Sequence, residues 1–299
     1  MTKLALCYVV GGEQKQYDNL ERSLRSLERL TKHDIHIIIL EFGYKCKNLI
    51  AEYKDFKKEN IKISVLEMGN DLFFQNKFVD HIIWKSKYHA AYLASACENS
   101  FNDYIFYVDV DTVFVNDTID HLIQVSNNKF IVTQHFWTLN YLDFVEKTQP
   151  KSLPDFHSAA SKIGINRSDN FPIATGGVFG FANTVQNKKI ISQIIDLHQL
   201  IYPCITSDFI DRFTDEVILS WTLEQNKDQV YWASGALNHC VMAQMPLVIC
   251  KQDNKLYGSN PWENHFDPIT CFHCDTTRRN PSAIWQEPLK SRIREAFYL

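Results

Sequence analysis

Along the chain, short apolar runs alternate with amphipathic stretches. Leu4 to Val10, Ile35 to Leu40 and Ile61 to Met68 are runs of strand length rich in β-branched residues. Between the first two, Tyr17 to Leu30 places Leu20, Leu24 and Leu27 at helical spacing with Glu and Arg among them, and between the next two Leu49 to Lys58 reads as a polar helix. The order strand, helix, strand, helix, strand predicts a parallel sheet with right-handed crossovers. Ser86 to Ala96 predicts a helix of small residues, leading into Tyr104 to Val115, an apolar run suited to a strand buried on both faces. Further on, Lys188 to Leu200 predicts a helix, and Phe213 to Trp221 predicts the start of another with Thr214 as its N-cap. Leu142 to Asn170, rich in Pro, Ser, Lys and Asp, predicts the longest irregular segment and a candidate mobile loop over a site. The pattern as a whole predicts an α/β protein with a Rossmann-like, mostly parallel central sheet and helices on both faces.

Composition narrows the class. With 299 residues and 45% hydrophobic content the chain can bury a large core, as one α/β domain or two closely joined lobes. A formal net charge of -4, with no run of Lys or Arg, gives no basic field for nucleic acid. The apolar start Leu4 to Val10 is ended by Gly11-Gly12 too soon for a spanning helix, and makes a better first strand than a signal peptide. Eight cysteines spread through the chain imply reduced thiols in a cytosolic compartment. Cys271-Phe-His-Cys274 has the spacing of half a zinc site, but no second pair accompanies it.

Candidate chemistry lies in four places. Asp109 and Asp111 interrupt the apolar run Tyr104 to Val115, where an uncompensated charge is costly. In an extended segment, side chains two apart project to one side, so both carboxylates can reach one hard divalent cation and, through it, phosphate oxygens. The plainer reading is a strand end and turn with solvated acids. Ala174-Thr-Gly176-Gly177-Val-Phe-Gly180 gathers three of the chain's ten glycines, which suits close approach of a ligand to the backbone or a simple tight turn. Asp215 and Glu216 suit either chemistry or the positive end of a helix dipole. Lys85 and Lys87 precede the acidic strand, within reach of a diphosphate or as solvated surface lysines.

Taken in order, a first strand, a D-x-D strand, a Gly-Gly-x-Phe-Gly strand and an Asp-Glu pair resemble retaining glycosyltransferases of the GT-A fold. From Leu4 to Trp221 the likeness is nearest to glycosyltransferase family 6, the α-1,3-galactosyl and N-acetylgalactosaminyl transferases. Ser64 to Gly69 looks like the segment before that family's donor-contacting helix, Asp109-Val-Asp111 like its metal motif, and Thr133-Gln-His135 like its acceptor-contacting strand. Gly176 to Gly180 and Asp215-Glu216 complete the series. Phe272-His273 to Arg278-Arg279-Asn-Pro281 looks instead like the closing motif of glycosyltransferase family 8, in which the His completes the metal site and the bases bind diphosphate.

The resemblance implies a single GT-A domain over 1–299, with residues 1–115 as nucleotide-binding half and 116–299 as acceptor-binding half. It implies transfer of a hexose, galactose or N-acetylgalactosamine, from a UDP-sugar to a glycan or other hydroxyl acceptor, with Mn2+ or Mg2+ held by Asp109, Asp111 and His273. His273 as a nitrogen ligand shifts that preference toward manganese; its plainer reading is a strand histidine bonded to backbone. Tyr8, Val9 and Val10 fall where uracil contacts are expected, and Lys87, Asp109, Gly176, Gly177, Arg278 and Arg279 where the sugar and diphosphate are. Glu216 matches the position of a nucleophile, Asp215 would hold donor hydroxyls, and His135 and Trp137 would meet the acceptor, with Trp232 and Trp262 as further candidates. Family members from animals carry a membrane anchor that is not seen before Met1, which points to a cytoplasmic protein. The tail Leu289 to Leu299 mixes bases with apolar residues, suited to peripheral contact with an anionic membrane or to docking on the domain. The alternative is a catalytically silent sugar-nucleotide or glycan-binding module of the same fold.

Overall fold

The structure, a computed structural model, describes residues 2–11, 14–30, 32–43, 46, 60–68, 79–96, 102–135, 138–148, 153–201, 208–240, 247–250, 255–260 and 262–273. Its first half runs β1 (Lys3–Gly11), α1 (Gln14–Ser26), β2 (Asp34–Phe42), β3 (Ile61–Glu67), α2 (Val79–Ala96), β4 (Tyr104–Val108), β5 (Thr112–Phe114), α3 (Ile119–Ser126), β6 (Phe130–Thr133), α4 (Tyr141–Thr148) and α5 (Leu153–Ser161). It continues with β7 (Val178–Ala182), α6 (Val185–Ile201), α7 (Asp208–Gln225), β8 (Val230–Ala233), β9 (Asn238–Cys240), β10 (Leu247–Cys250), β11 (Lys255–Gly258), β12 (Asp267–Pro268) and β13 (Cys271–His273).

Seven strands form the central sheet in the order β3-β2-β1-β4-β7-β6-β8. The predicted β-α-β start is seen in β1, β2, β3 and β4, which pair in parallel. Because β1 pairs with both β2 and β4, the chain first winds outward and then returns to the other side of β1. That reversal opens a crevice at the carboxyl ends of β1 and β4, where open α/β sheets take ligands. Antiparallel β7 lies between β4 and β6, so the far half of the sheet is mixed.

Alternation along β1 shows why its sequence is apolar throughout. Ala5, Cys7 and Val9 join one core with residues of α2, α6 and α7, while Leu4, Leu6, Tyr8 and Val10 join a second with Leu20 and Leu24 of α1. A strand covered on both faces has no polar side to show. Cys7, Cys46, Cys240 and Cys271 are buried. Among the described residues no helix is long and apolar enough to cross a membrane.

Three expectations are corrected. Tyr104 to Val115 is two strands, β4 and β5, parted by a turn in which the Thr112 N–H donates to the Asp109 carbonyl at 3.0 Å. Leu142 to Asn170 contains most of α4 and all of α5. Its polar residues had masked the helical spacing of Tyr141, Phe144 and Val145, all buried. The helix expected to begin near Thr214 begins at Asp208, so Asp215 and Glu216 lie inside α7 and cap nothing. The expected helix 49–58, Trp137, Cys274, Arg278, Arg279 and the tail 289–299 lie outside the described residues.

Two small sheets finish the fold, β10-β11-β12 and β5-β13-β9. In the second, β13 runs antiparallel to β5 and sets His273 opposite Thr112. This pairing carries the C-terminal part of the chain to the mouth of the crevice.

Gly180 on β7 faces Phe106 on β4, and a Cβ built there would overlap the buried Phe106 ring. Gly180→Ala should therefore cost about 1–3 kcal/mol of unfolding free energy through overpacking. A fall in the urea midpoint with an unchanged slope would show it.

Candidate active site

The site forms where β4 leaves the sheet. The Asp109 N–H donates to the Gly177 carbonyl at 2.8 Å, extending the β4–β7 pairing by one step before the chain turns. Asp109 and Asp111 thus flank a turn through the buried Val110, which replaces the extended geometry expected from their spacing. Their carboxylates still converge. His273 Nε2 stands 3.3 Å from Asp111 Oδ1 and 3.7 Å from Asp109 Oδ2. One ligand atom from each of the three residues lies within 4.8 Å of the others. The histidine is a half-buried strand residue and also a member of the acidic cluster.

Two oxygens and an imidazole nitrogen suit a hard or borderline divalent cation. Burial raises the Asp109 pKa, and the Asp111 charge adds to this; Lys87, His273 and a hydrogen bond from Tyr107 oppose it. A cluster in which partly buried carboxylates crowd together favours added positive charge.

Behind the cluster lies a second charged layer. Lys87, for which the sequence leaves a diphosphate contact and a solvated surface position open, is 4% exposed and forms an ion pair with Asp215 Oδ2. Its Nζ also donates to the Gly176 carbonyl at 3.3 Å and lies 5.7 and 5.8 Å from the ring centres of Tyr88 and Tyr107. Burial pushes the Lys87 pKa down, but Asp215, Asp109 and Glu216 together outweigh it and leave it raised, so the ammonium stays charged. The Tyr88 hydroxyl donates to the Asp215 carbonyl at 3.2 Å, tying α2 to α7. The side chain of Lys85 is outside the described residues.

Glu216 is gripped at both oxygens. Oε1 accepts the Gly176 N–H at 3.1 Å, and Oε2 lies 3.6 Å from His135 Nε2. Burial, reinforced by the Asp215 charge, pushes its pKa up to about 8. His135 is only 3% exposed, edge-on to Phe144, with Nδ1 3.2 Å from the Thr138 hydroxyl. Burial lowers its pKa to about 3, so the ring is neutral. In this structure it is a buried neighbour of Glu216.

Gly176 and Gly177 hold the two layers together by letting side chains of the chain itself come close to their backbone. A Cβ on Gly176 would sit 2.7 Å from Lys87 Nζ and 3.0 Å from Asp215 Oδ2; on Gly177 it would sit 2.6 Å from the His273 ring. Thr175 and Asn238, neither singled out from sequence, brace this stretch: Asn238 Nδ2 donates to Thr175 Oγ1 at 3.2 Å. Asn238 comes from β9, two positions in register from His273, a relation that sequence spacing does not display. Tyr107 was also overlooked, although its place two residues before Asp109 on one strand was a usable signal.

The Tyr8, Val9 and Val10 side chains belong to the core, and the Tyr8 hydroxyl accepts a hydrogen bond from Ser23 at 3.2 Å. The side chains expected to meet the uracil are thus packed in the two cores. Trp232 packs against the sheet core, and Trp262 is partly exposed.

No protein-family model and no curated protein matches this chain in sequence. Solved structures do match in three dimensions. The galactosyltransferase LgtC, in complex with donor and acceptor sugar analogs, aligns over 98% of this chain and 94% of its own with a TM-score of 0.58 and 13% identity. This is a GT-A fold. An active-site mutant of LgtC aligns with a TM-score of 0.55 at 14% identity, again over 98% of this chain and 94% of its own. The apo form of mouse xyloside xylosyltransferase 1 aligns over 93% of this chain and 100% of its own, with a TM-score of 0.52 and 10% identity. At such identities the shared property is the GT-A architecture, in which the Asp109, Asp111 and His273 cluster occupies the crevice at the sheet's reversal.

Removing one member of the buried pair should be costly, because its partner charge stays behind. Lys87→Met should lower the unfolding free energy by about 3–5 kcal/mol, with much of it recovered on adding Asp215→Asn. Urea titrations of the single and double variants measure this. Glu216 gives a pH signature. The folded protein keeps this proton up to about 8, whereas the ordinary value is 4.5. Its contribution to stability is therefore fully present below the ordinary value and lost as pH rises through about 8. Wild-type stability should fall relative to Glu216→Gln across that window, read as a widening gap in denaturation midpoint.

Proposed function

We propose that this protein is a metal-dependent retaining glycosyltransferase that moves a hexose, galactose or N-acetylgalactosamine, from a UDP-sugar to a hydroxyl acceptor. The observation that carries this reading is the convergence of Asp109, Asp111 and His273 in the crevice of a GT-A sheet, against the Gly176–Gly177 backbone. Their donor set fits Mn2+ or Mg2+, and these three residues would hold it. When bound, such an ion neutralises the charge that develops on a departing nucleoside diphosphate.

The remaining roles follow the resemblance to the glycosyltransferase families. The end of β1 would receive the uracil, the glycine backbone would let the donor approach closely, and Arg278 and Arg279 would meet the diphosphate. Lys87 fixes Asp215 Oδ2, which leaves the carboxylate oriented to meet donor hydroxyls. Glu216, protonated in the ligand-free protein below about pH 8, would act in its ionised form, with its proton passed to water. A carboxylate then stands ready to attack the anomeric carbon, forming one carbon–oxygen bond as the bond to the leaving phosphate breaks. The acceptor hydroxyl displaces it in a second step, giving retention. Front-side attack by the acceptor beside the departing phosphate is the other route to the same stereochemistry. His135 orients Glu216 from behind, and Trp137 would pack against the acceptor sugar, with Trp262 as a further candidate.

Incubating the purified chain with Mn2+ and a panel of UDP-sugars, and measuring UDP release, tests the reading. Turnover is expected with at least one donor, and it should vanish on chelation and in Asp109→Asn and Asp111→Asn variants that keep their circular dichroism. Full activity of both variants with the metal chelated would overturn the site assignment. Binding of UDP-sugars without any turnover would favour the silent binding module. Glu216→Gln should leave donor affinity nearly unchanged and lower the transfer rate by about 10² or more. A loss confined to KM would assign Glu216 to substrate positioning and favour the front-side route.

A further inference from the structure

Tyr107 is a buried polar residue that the roles above do not use. It sits on β4 two residues before Asp109, and its hydroxyl donates to Asp109 Oδ1 at 2.6 Å. The ring is held on several sides. It stacks on Phe179 of β7 with centroids 5.2 Å apart and planes 24° apart, and Lys87 Nζ lies near its face.

The consequence is directional. Asp109 stands where the strand ends, and a carboxylate there can rotate about its side-chain bonds. With Oδ1 taken by a phenol on a rigid strand, the oxygen on the His273 side is Oδ2. We propose that Tyr107 is a positioning residue for the divalent-cation site: it locks the Asp109 carboxylate so that Oδ2 converges with Asp111 Oδ1 and His273 Nε2. This rests on the metal-site reading above and adds to it the residue that preorganises the first carboxylate. A charge-assisted bond of this length is strong enough to select one rotamer. Outer partners of metal ligands act in this way, and their loss typically weakens metal binding by about ten- to a hundredfold.

Tyr107→Phe tests the idea because it removes the hydroxyl and keeps the ring on Phe179. Mn2+ binding to the full chain is followed by the loss of the free-ion electron paramagnetic resonance signal, which needs no donor, acceptor or turnover. The dissociation constant should rise about tenfold or more in Tyr107→Phe, while the melting temperature without metal stays near that of wild type. Phe179→Leu is the control for a merely structural effect. It loosens the stack but keeps the hydroxyl, so it should lower stability and leave Mn2+ affinity close to wild type. Equal Mn2+ affinity of wild type and Tyr107→Phe would overturn the proposal and leave the metal site standing. Weakening in Phe179→Leu as large as in Tyr107→Phe would assign the effect to packing and also overturn it. A wild-type chain that takes up no Mn2+ would overturn the metal site and the role of Tyr107 together.

Discussion

The antiparallel seam between β4 and β7 is the constraint on which the rest of the site depends. It pairs Tyr104 through Val108 with Ala182 through Val178 and then gains one more hydrogen bond, from Asp109 to Gly177. That last bond fixes where the acidic turn begins. It also fixes which residues of the glycine segment lie beside it, because a shift in register would take Gly180 away from Phe106 and exchange the side chains packed in the two cores. Close approach at the seam is permitted by Gly180, whose missing side chain makes room for Phe106.

Packing charged groups against such a seam creates an electrostatic problem that the fold resolves in layers. Lys87 and Asp215 neutralise one another beneath Gly176, in surroundings dry enough that either alone would be strongly destabilising. Glu216, next along the helix, is met by a main-chain N–H and a neutral histidine, and accommodates burial by keeping its proton. Asp109 and Asp111 sit nearer the opening and share His273. The gradient from compensated to crowded charge runs from the core toward the crevice, so added positive charge is favoured at the mouth.

Much of this was legible in the chain. The acidic pair, the clustered glycines and the Asp-Glu pair stand out because their residue types are out of place in apolar surroundings, and burial makes such exceptions costly. The order of these segments was enough to suggest a GT-A sheet. What misled were local patterns with more than one physical cause. Thr214 followed by two acids resembles a helix start, yet the helix begins at Asp208 and the acids face inward from its third turn. Lysine is ordinarily a surface residue, so nothing near Lys87 in sequence announced that Asp215, far along the chain, would draw it into the core.

By itself the sequence determined the alternation of strands and helices, the two apolar faces of β1 and the presence of carboxylates at the end of a core strand. These follow from periodicity and from the cost of burying charge, both of which act over a few residues. The tertiary structure alone decided that β13 would bring His273 against Asp111, that β7 would run antiparallel between β4 and β6, and that Lys87, Asp215, Glu216 and His135 would share one pocket of low dielectric. Those relations join segments far apart in the chain. They are set by strand register and by the summed packing of both cores, quantities that no local pattern of residues contains.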